Sequence, residues 1–578
     1  MPVRSNERLI LCVFLLGIFS FIIEFLNPSN RFLLLGLSFL EWLVMGLFVL
    51  EIVRRFWLAR LSLNLLRRNI FDLALVIFFG FTIWAGYRGD LIDFERVPVF
   101  IVNIILIRYL FHLLHQISRF ERVNAYLKRI FYHPALTIAA SFLVVILFGT
   151  LILMMPFASS DGVRLNPLDA LFTATSAVCV TGLIIVDTAT RFSLYGKIVI
   201  MGLIQIGGLG IMILAYFAAY LMGRRISIEE KLTMSYFLND QEVKKVTGTI
   251  TWIILFTLII ESLGASLLYR FFLDWFNSHS KALIYAVFHS VSAFCNAGFA
   301  LFSNNLEGFQ SSVFLNIVIC SLIIAGGLSF IVLVNLIQTV YVNIRNALSE
   351  QKIQRIYLSL NSKAVLIVTV ILLISGTVFV YVLEHRTTLI NLALGTQYLT
   401  AFFQSVTLRT AGFNTINIGG LRTGTLLLMV VLMFIGGAAG STAGGIKVNT
   451  VFVVFAYLKS IITGKSEILI MNQALGRELV IRAFLIIIIS LTIVTASTMA
   501  MTLCEPYALE KILFEVVSAF GTVGLSTGIT PDLSGWGKLI LIMTMFIGRA
   551  GPLTMMFALF PYRTSNSAIK YPEGTIIF

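Results

Sequence analysis

Ser176-Ala-Val-Cys-Val-Thr-Gly182-Leu183 is the stretch on which the fold turns. It recurs as Ser292-Ala-Phe-Cys-Asn-Ala-Gly298-Phe299, as Val406-Thr-Leu-Arg-Thr-Ala-Gly412-Phe413 and as Ser518-Ala-Phe-Gly-Thr-Val-Gly524-Leu525. Each glycine closes a short segment bearing Ser, Thr and Gly, at 168–186, 282–300, 391–416 and 509–530. About a dozen residues precede it, and at about 1.5 Å per residue they cannot cross a hydrocarbon layer of roughly 30 Å. Such a segment enters and turns back. Non-helical backbone at membrane depth is tolerated only when protein covers it or it lines a watery cavity, so four of them imply a polar centre.

Outward from each short segment lie two long apolar runs. They pair as 136–156 with 196–221, 249–273 with 311–343, 364–384 with 423–459, and 480–503 with 536–560. Four further runs, near 9–26, 33–52, 70–87 and 98–117, precede them. The spacing predicts an all-α polytopic membrane protein: four membrane–pore–membrane repeats around a central pore, preceded by an extra four-helix bundle. The expected divisions are 1–130 for that bundle and 135–222, 248–345, 363–460 and 479–562 for the repeats, with a tail at 563–578.

Composition agrees. Of 578 residues, 58% are hydrophobic and only 12% charged, which argues against a soluble enzyme. The net charge of +14 sits in loops, as the positive-inside rule expects of cytoplasmic segments, and does not point to nucleic acid. Basic residues at 223–248, 344–363 and 459–482 place those loops, and both termini, in the cytoplasm, with residues 9–26 as a retained first span. Five scattered cysteines give neither a disulfide framework nor a zinc site, and the six histidines form no ligand set. An intramembrane enzyme is therefore disfavoured, and no phosphate-binding motif speaks for nucleotide binding by this chain.

The chemistry of the repeated stretch is ion coordination. Rings of backbone carbonyls replace the water shell of a cation, and glycine reaches the backbone angles that aim successive carbonyls one way. No acidic ring occurs in the four segments, which argues against a calcium-type filter and favours a large monovalent ion. Helix-packing glycines are the alternative, and four in the same context speak against it.

Gln205-Ile-Gly-Gly-Leu-Gly-Ile-Met212, Arg409-Thr-Ala-Gly-Phe413, Ser441-Thr-Ala-Gly-Gly-Ile-Lys447 and Ile547-Gly-Arg-Ala-Gly-Pro-Leu553 closely resemble signature stretches of the Trk/Ktr/HKT superfamily of potassium transporters, nearest to the bacterial Ktr membrane subunit. The resemblance covers roughly 135–578. It implies a potassium-selective pore in one chain of the cell membrane, a homodimer, a cytosolic ring of nucleotide-binding regulatory subunits, and no cofactor beyond the transported ion, with sodium or proton coupling open. By position the filter would be Val180-Thr181-Gly182, Asn296-Ala297-Gly298, Thr410-Ala411-Gly412 and Thr522-Val523-Gly524. In the plant branch a serine in the first repeat accompanies sodium transport, so Gly182 points to potassium. The pore subunit of a potassium-pumping P-type ATPase is a related architecture that these stretches fit less well.

The same resemblance makes 436–446 a gating loop beneath the filter, with Gly436, Gly437, Gly440, Ser441, Thr442, Gly444 and Gly445; a plain glycine kink is the alternative. Lys447 is expected at the cavity or snorkelling inward. Arg549, mid-span, is expected to face the pore or the loop, or else to pair with Glu515. Arg409 is expected to brace its loop, since a fixed cation beside the ion would repel it. In the N-terminal bundle, Arg108, His112, His115, Arg119 and Arg122 share one helical face. That weakly resembles a voltage sensor; a docking bundle with a basic inner end is the plainer reading, and a histidine pH response the third.

Overall fold

The computed structural model describes residues 2–25, 31–58, 134–210, 246–348, 357–464, 468–471 and 473–559, with isolated positions among 76–105 and 213–217. The fourth-span cluster at Arg108–Arg122 and the tail at 563–578 lie outside the described residues.

The pore repeats begin with long helices at Pro134–Leu153, Val246–Phe276, Leu360–Glu384 and Arg477–Cys504. All four are long and apolar enough to cross a membrane. Each is followed by a short helix: Pro167–Val178, His279–Phe294, Leu394–Thr407 and Leu509–Gly521, of 12, 16, 14 and 13 residues. At about 1.5 Å per residue these reach only about 18–24 Å. Pore helices and glycine segments together form the largest core, almost wholly buried.

The returning helix of every repeat is broken. Leu194–Leu209 stops at Gly210, whose φ of 86° no helix accommodates. Val313–Gly327 gives way to Phe330–Leu348, and Thr423–Phe434 to Val448–Ile462 after a loop. Gly535–Ala550 stops at Gly551, φ 90°, before Pro552–Leu559. This corrects the sequence reading, which takes only the third as interrupted. One further departure from an all-helical chain is a two-residue antiparallel ribbon, Leu469–Ile470 with Gln473–Ala474.

Local chemistry sets the helix starts. Asn166 caps the first pore helix through the Leu168 N–H, with Pro167 in the first turn. Ser193 and Ser534 cap the returning helices of repeats 1 and 4 in the same way, through Gly196 and Gly537. In the last repeat the cap is itself held: the Glu505 carboxylate accepts from the Ser534 N–H at 2.9 Å and its hydroxyl at 2.6 Å. Glu384 does the equivalent in repeat 3, accepting from the Arg422 N–H and the Thr425 hydroxyl. Replacing buried Glu505 with Ala removes both hydrogen bonds that hold the Ser534 cap, a destabilisation of about 1–3 kcal/mol at roughly 0.5–1.5 kcal/mol each. Scanning fluorimetry in detergent should show an apparent Tm several degrees lower, and an unchanged melt would reject this account.

Glycines let returning and pore helices touch. A Cβ on Gly207, Gly326 or Gly548 would stand 1.9, 1.7 or 2.0 Å from pore-helix carbonyls of the last turn, at Val178, Phe294 and Phe520. Such distances leave no room for any side chain, so the three contacts fix the three breaks at one depth.

Helices Pro2–Phe25 and Arg31–Leu58 pack against each other, and their Val13, Val44 and Phe48 share a buried cluster with Met155, Phe157 and Tyr195 of repeat 1.

Candidate functional site

The four glycine segments converge into one closed ring. A Cβ on Gly182 would stand 2.4 Å from the Ala297 carbonyl oxygen, one on Gly298 2.8 Å from Ala411 O, one on Gly412 2.5 Å from Val523 O, and one on Gly524 2.1 Å from Thr181 O. Each glycine thus faces the main-chain oxygen of the next repeat, and the fourth returns to the first. All twelve sequence-predicted positions belong to this ring or directly precede it.

The backbone repeats with the same phase. Val180, Asn296, Thr410 and Thr522, each two residues before its glycine, have φ of 56°, 59°, 72° and 51°. The glycines follow at 90°, 70°, 78° and 90°. Left-handed backbone at a non-glycine residue costs of order 1–3 kcal/mol, and four at one register position indicate strain held by the surroundings. The holding contacts are visible. Ser176 and Ser518 accept from the N–H of Gly182 and Gly524 at 3.0 and 3.1 Å. Ser292 donates to Phe299 O at 2.7 Å, and His289 accepts from the Leu301 N–H at 3.3 Å. Glu515 accepts from Ser526, Thr527 and Thr530. It therefore braces the strand beyond Gly524 and is not the partner of Arg549.

The third repeat departs. Its N–H at Ala411 reaches back four residues to Thr407 O, whereas Thr181, Ala297 and Val523 reach back five, to a serine carbonyl. Val406 stands where the others carry that serine. Buried Arg409 braces nothing through Nε or Nη2, which have no hydrogen-bond partner, and the hydroxyls of Thr181, Thr410 and Thr522 are likewise unpartnered. Cys179 and Cys295 are fully buried.

The glycine-rich loop packs against the segments that carry the ring, with Thr442 Oγ1 3.3 Å from Phe294 O and Gly436 against the Thr410 side chain. Its base is pinned by Gly436 N–H to Ile446 O at 2.8 Å and Val448 N–H to Gly437 O at 3.1 Å. It fills the break of repeat 2, where Ala438 N–H donates to Gly327 O at 3.1 Å and Phe330 N–H to Gly440 O at 3.2 Å. Thr442 donates to Gly326 O at 2.9 Å. Gly444 lies against the Thr522 side chain and Gly445 against Gly521. Ser441 turns inward onto Ala438 O. Arg549 donates to Thr442 O and to Gly207 O, joining the loop to repeat 1. Lys447 donates to Ala443 O at 2.6 Å. Among the described residues neither cation is paired with a carboxylate. The sequence reading places both residues near the loop but not the specific carbonyls, which only tertiary geometry supplies.

Above the ring the repeats are stitched in pairs. Asp187 accepts from Ser303, Asn414 donates to Glu307 at 2.8 Å, and Lys538 meets Asp169 at 2.8 Å across the seam of repeats 4 and 1. Burial lifts the Glu307 carboxyl above its usual range, and the Asn414 amide opposes the shift.

The chain matches the TrkH family, described as cation transport protein, over residues 101–567. It is 37% identical to the Ktr system potassium uptake protein B of Bacillus subtilis (strain 168), over 78% of this chain and 98% of that one. It is 38% identical to the potassium/sodium uptake protein NtpJ of Enterococcus hirae, over 77% and 97%. The crystal structure of the potassium transporter TrkH from Vibrio parahaemolyticus superposes with a TM-score of 0.61 at 17% identity, covering 87% of this chain and 99% of that one, a likeness of fold. With its broken spans, its four half-length helices and a match across most of its length, this multi-pass membrane protein belongs to the TrkH cation transport family.

Proposed function

We propose that the chain is the translocating subunit of a potassium uptake system, and that the glycine ring is its selectivity filter. The single observation that carries this reading is the closed circuit of main-chain oxygens and glycines, 182 to 297, 298 to 411, 412 to 523 and 524 to 181. Carbonyl dipoles in a ring offer a field of moderate strength, which suits a large monovalent ion that must also leave. The names of the relatives, potassium uptake and potassium/sodium uptake, support the substrate class and leave the coupling ion open.

Loop 436–447 is the gate in this reading. It blocks the axis beneath the filter, and Arg549 and Lys447 hold it there through its own carbonyls. A cation sharing that passage would meet the fixed charge of Arg549, which among the described residues has no carboxylate partner, an electrostatic barrier that opening of the loop removes. In this reading the termini lie in the cytoplasm, a placement the basic loops favour. The chain acts as a homodimer on a cytosolic nucleotide-binding ring.

Radiotracer flux into liposomes holding the purified chain tests this, with each cation varied and the voltage clamped by ionophore. Uptake of potassium should saturate, exceed that of sodium, and rise with an inside-negative potential worth about 2.3 kcal/mol per charge per 100 mV. Equal potassium and sodium flux at every voltage would overturn the assignment.

A further inference from the structure

The first helix of repeat 2, Val246–Phe276, carries a carboxylic acid at its midpoint. Glu261 is 6% exposed, and an ionisable side chain at the centre of a span is costly enough to need a function or a partner. Its partners are neutral. Gln205, on the returning helix of repeat 1, donates to Glu261 Oε2 at 3.1 Å. Cys295 Sγ lies 3.8 Å from Glu261 Oε1 and 3.7 Å from Gln205 Oε1, so the three side chains close a triangle. Among the described residues no ion pair involves Glu261.

The triangle sits at the foot of the ring. Cys295 directly precedes Asn296, the first of the three ring positions of repeat 2. Gly208 seats the sulfur from below, since a Cβ there would stand 2.6 Å from it. The main chain of Glu261 is tied in as well: the Ser290 hydroxyl of the pore helix donates to its carbonyl at 2.7 Å. Three elements from two repeats thus meet on one residue next to the glycine segment.

Packing alone does not call for an acid at this place. In repeat 3 the Ser405 hydroxyl donates to Leu373 O at 2.8 Å, as Ser290 does to Glu261 O, and Gly376 lies against Ser405 as Gly264 lies against Ser290. Leu373 is therefore the counterpart of Glu261. Gly326 and Gly207 make the same contact with a pore-helix carbonyl, so Ile324 is the counterpart of Gln205. The next interface fills these two positions with an apolar pair.

We propose that Glu261 is a positioning residue for cation discrimination: through Gln205 and Cys295 it sets the height and tilt of the Asn296-Ala297-Gly298 strand. This rests on the reading of the ring as a selectivity filter. A strand held at its foot by a polar triangle has one position along the axis, whereas one resting on apolar contacts slides by fractions of an ångström. Displacements of about 1 Å cost up to a hundredfold in sites that depend on geometry.

The test is the potassium-to-sodium flux ratio of the full chain in liposomes, with the melting temperature measured alongside. E261L should lower the ratio about tenfold, the lower part of that range. The double variant Q205I/E261L recreates the apolar pair of the neighbouring interface; it should melt as the wild type does yet discriminate no better than E261L. E261Q keeps the shape and an acceptor for Gln205, and should hold the ratio within about twofold of the wild type. An unchanged ratio in E261L or in the double variant overturns the proposal. So does a double variant that fails to fold, because the acid then serves the fold, and so does an E261Q as defective as E261L, because charge and not position then matters. G298S run in parallel separates the two readings: if it too leaves the ratio unchanged, the filter assignment falls, and if it alone lowers the ratio, only the role of Glu261 falls.

Discussion

Replacing Gly182 with Ser should cost the protein at least tenfold in discrimination between potassium and sodium, equivalent to about 1.4 kcal/mol or more. Two independent effects act together. The new Cβ would stand 2.4 Å from Ala297 O and 3.1 Å from Gly298 Cα, both backbone atoms that yield only if the neighbouring strand moves. The position also has a φ of 90°, which a serine occupies only under strain. The strand must either swing its carbonyl out of the ring or push that of repeat 2 away, and in both cases the proposed filter loses an oxygen on one side. A smaller, more strongly hydrated ion is then less disfavoured than before. Because Ala297 O belongs to the next repeat, the damage is not confined to the first. Tracer uptake of potassium and sodium in liposomes reads the effect, and an unchanged ratio in folded protein would show that these oxygens do not select the ion.

The second large effect is expected from excising 437–444. Flux should rise several-fold or more, because the segment removed is the proposed gate. The excision is sterically mild. Gly436 Cα is 3.8 Å from where a Cβ on Gly445 would be, and the base is already closed by the bond from Gly436 N–H to Ile446 O. Joining these points leaves the helices on either side in place. The deletion does free Gly326 O and Gly327 O of the broken second repeat, which a water-filled cavity can satisfy. Arg549 loses Thr442 O and keeps Gly207 O. Unchanged or reduced flux from properly inserted protein would mean that the loop supports the pore and does not obstruct it.

Much of this architecture is legible in the sequence, because length is a hard constraint. A helix of 12–16 residues cannot cross a bilayer, whatever its neighbours are. The four glycines stand out for a related reason: the same backbone requirement repeats at the same place. The helix breaks are not legible at Gly210, Leu328 and Gly551. At the first two the apolar run continues through the interruption, and at Gly551 the Gly-Pro step reads equally well as the end of the span. In repeat 2 the broken turn is stabilised by Gly440 O and by the Ala438 N–H, more than a hundred residues away, and no local signal announces partners so distant. The pairing of Arg549 with loop carbonyls is hidden for the same reason: the sequence offers Glu515 as an acid of the right kind, but that carboxylate is already occupied by Ser526, Thr527 and Thr530. Glu261 is marked in the sequence only as one acid in a long apolar run, and its partners Gln205 and Cys295 lie too far along the chain for a local signal to name them.

The one-residue difference in how the third pore segment turns into its strand carries a last consequence. A pore assembled from four identical subunits repeats any change in all four quadrants at once. Here a mutation enters one quadrant only, and the quadrants already differ, since Ala411 hangs from a threonine carbonyl where its counterparts hang from serines. In the proposed filter an ion on the axis would meet four unlike strands, so its preference could be adjusted in single, small steps.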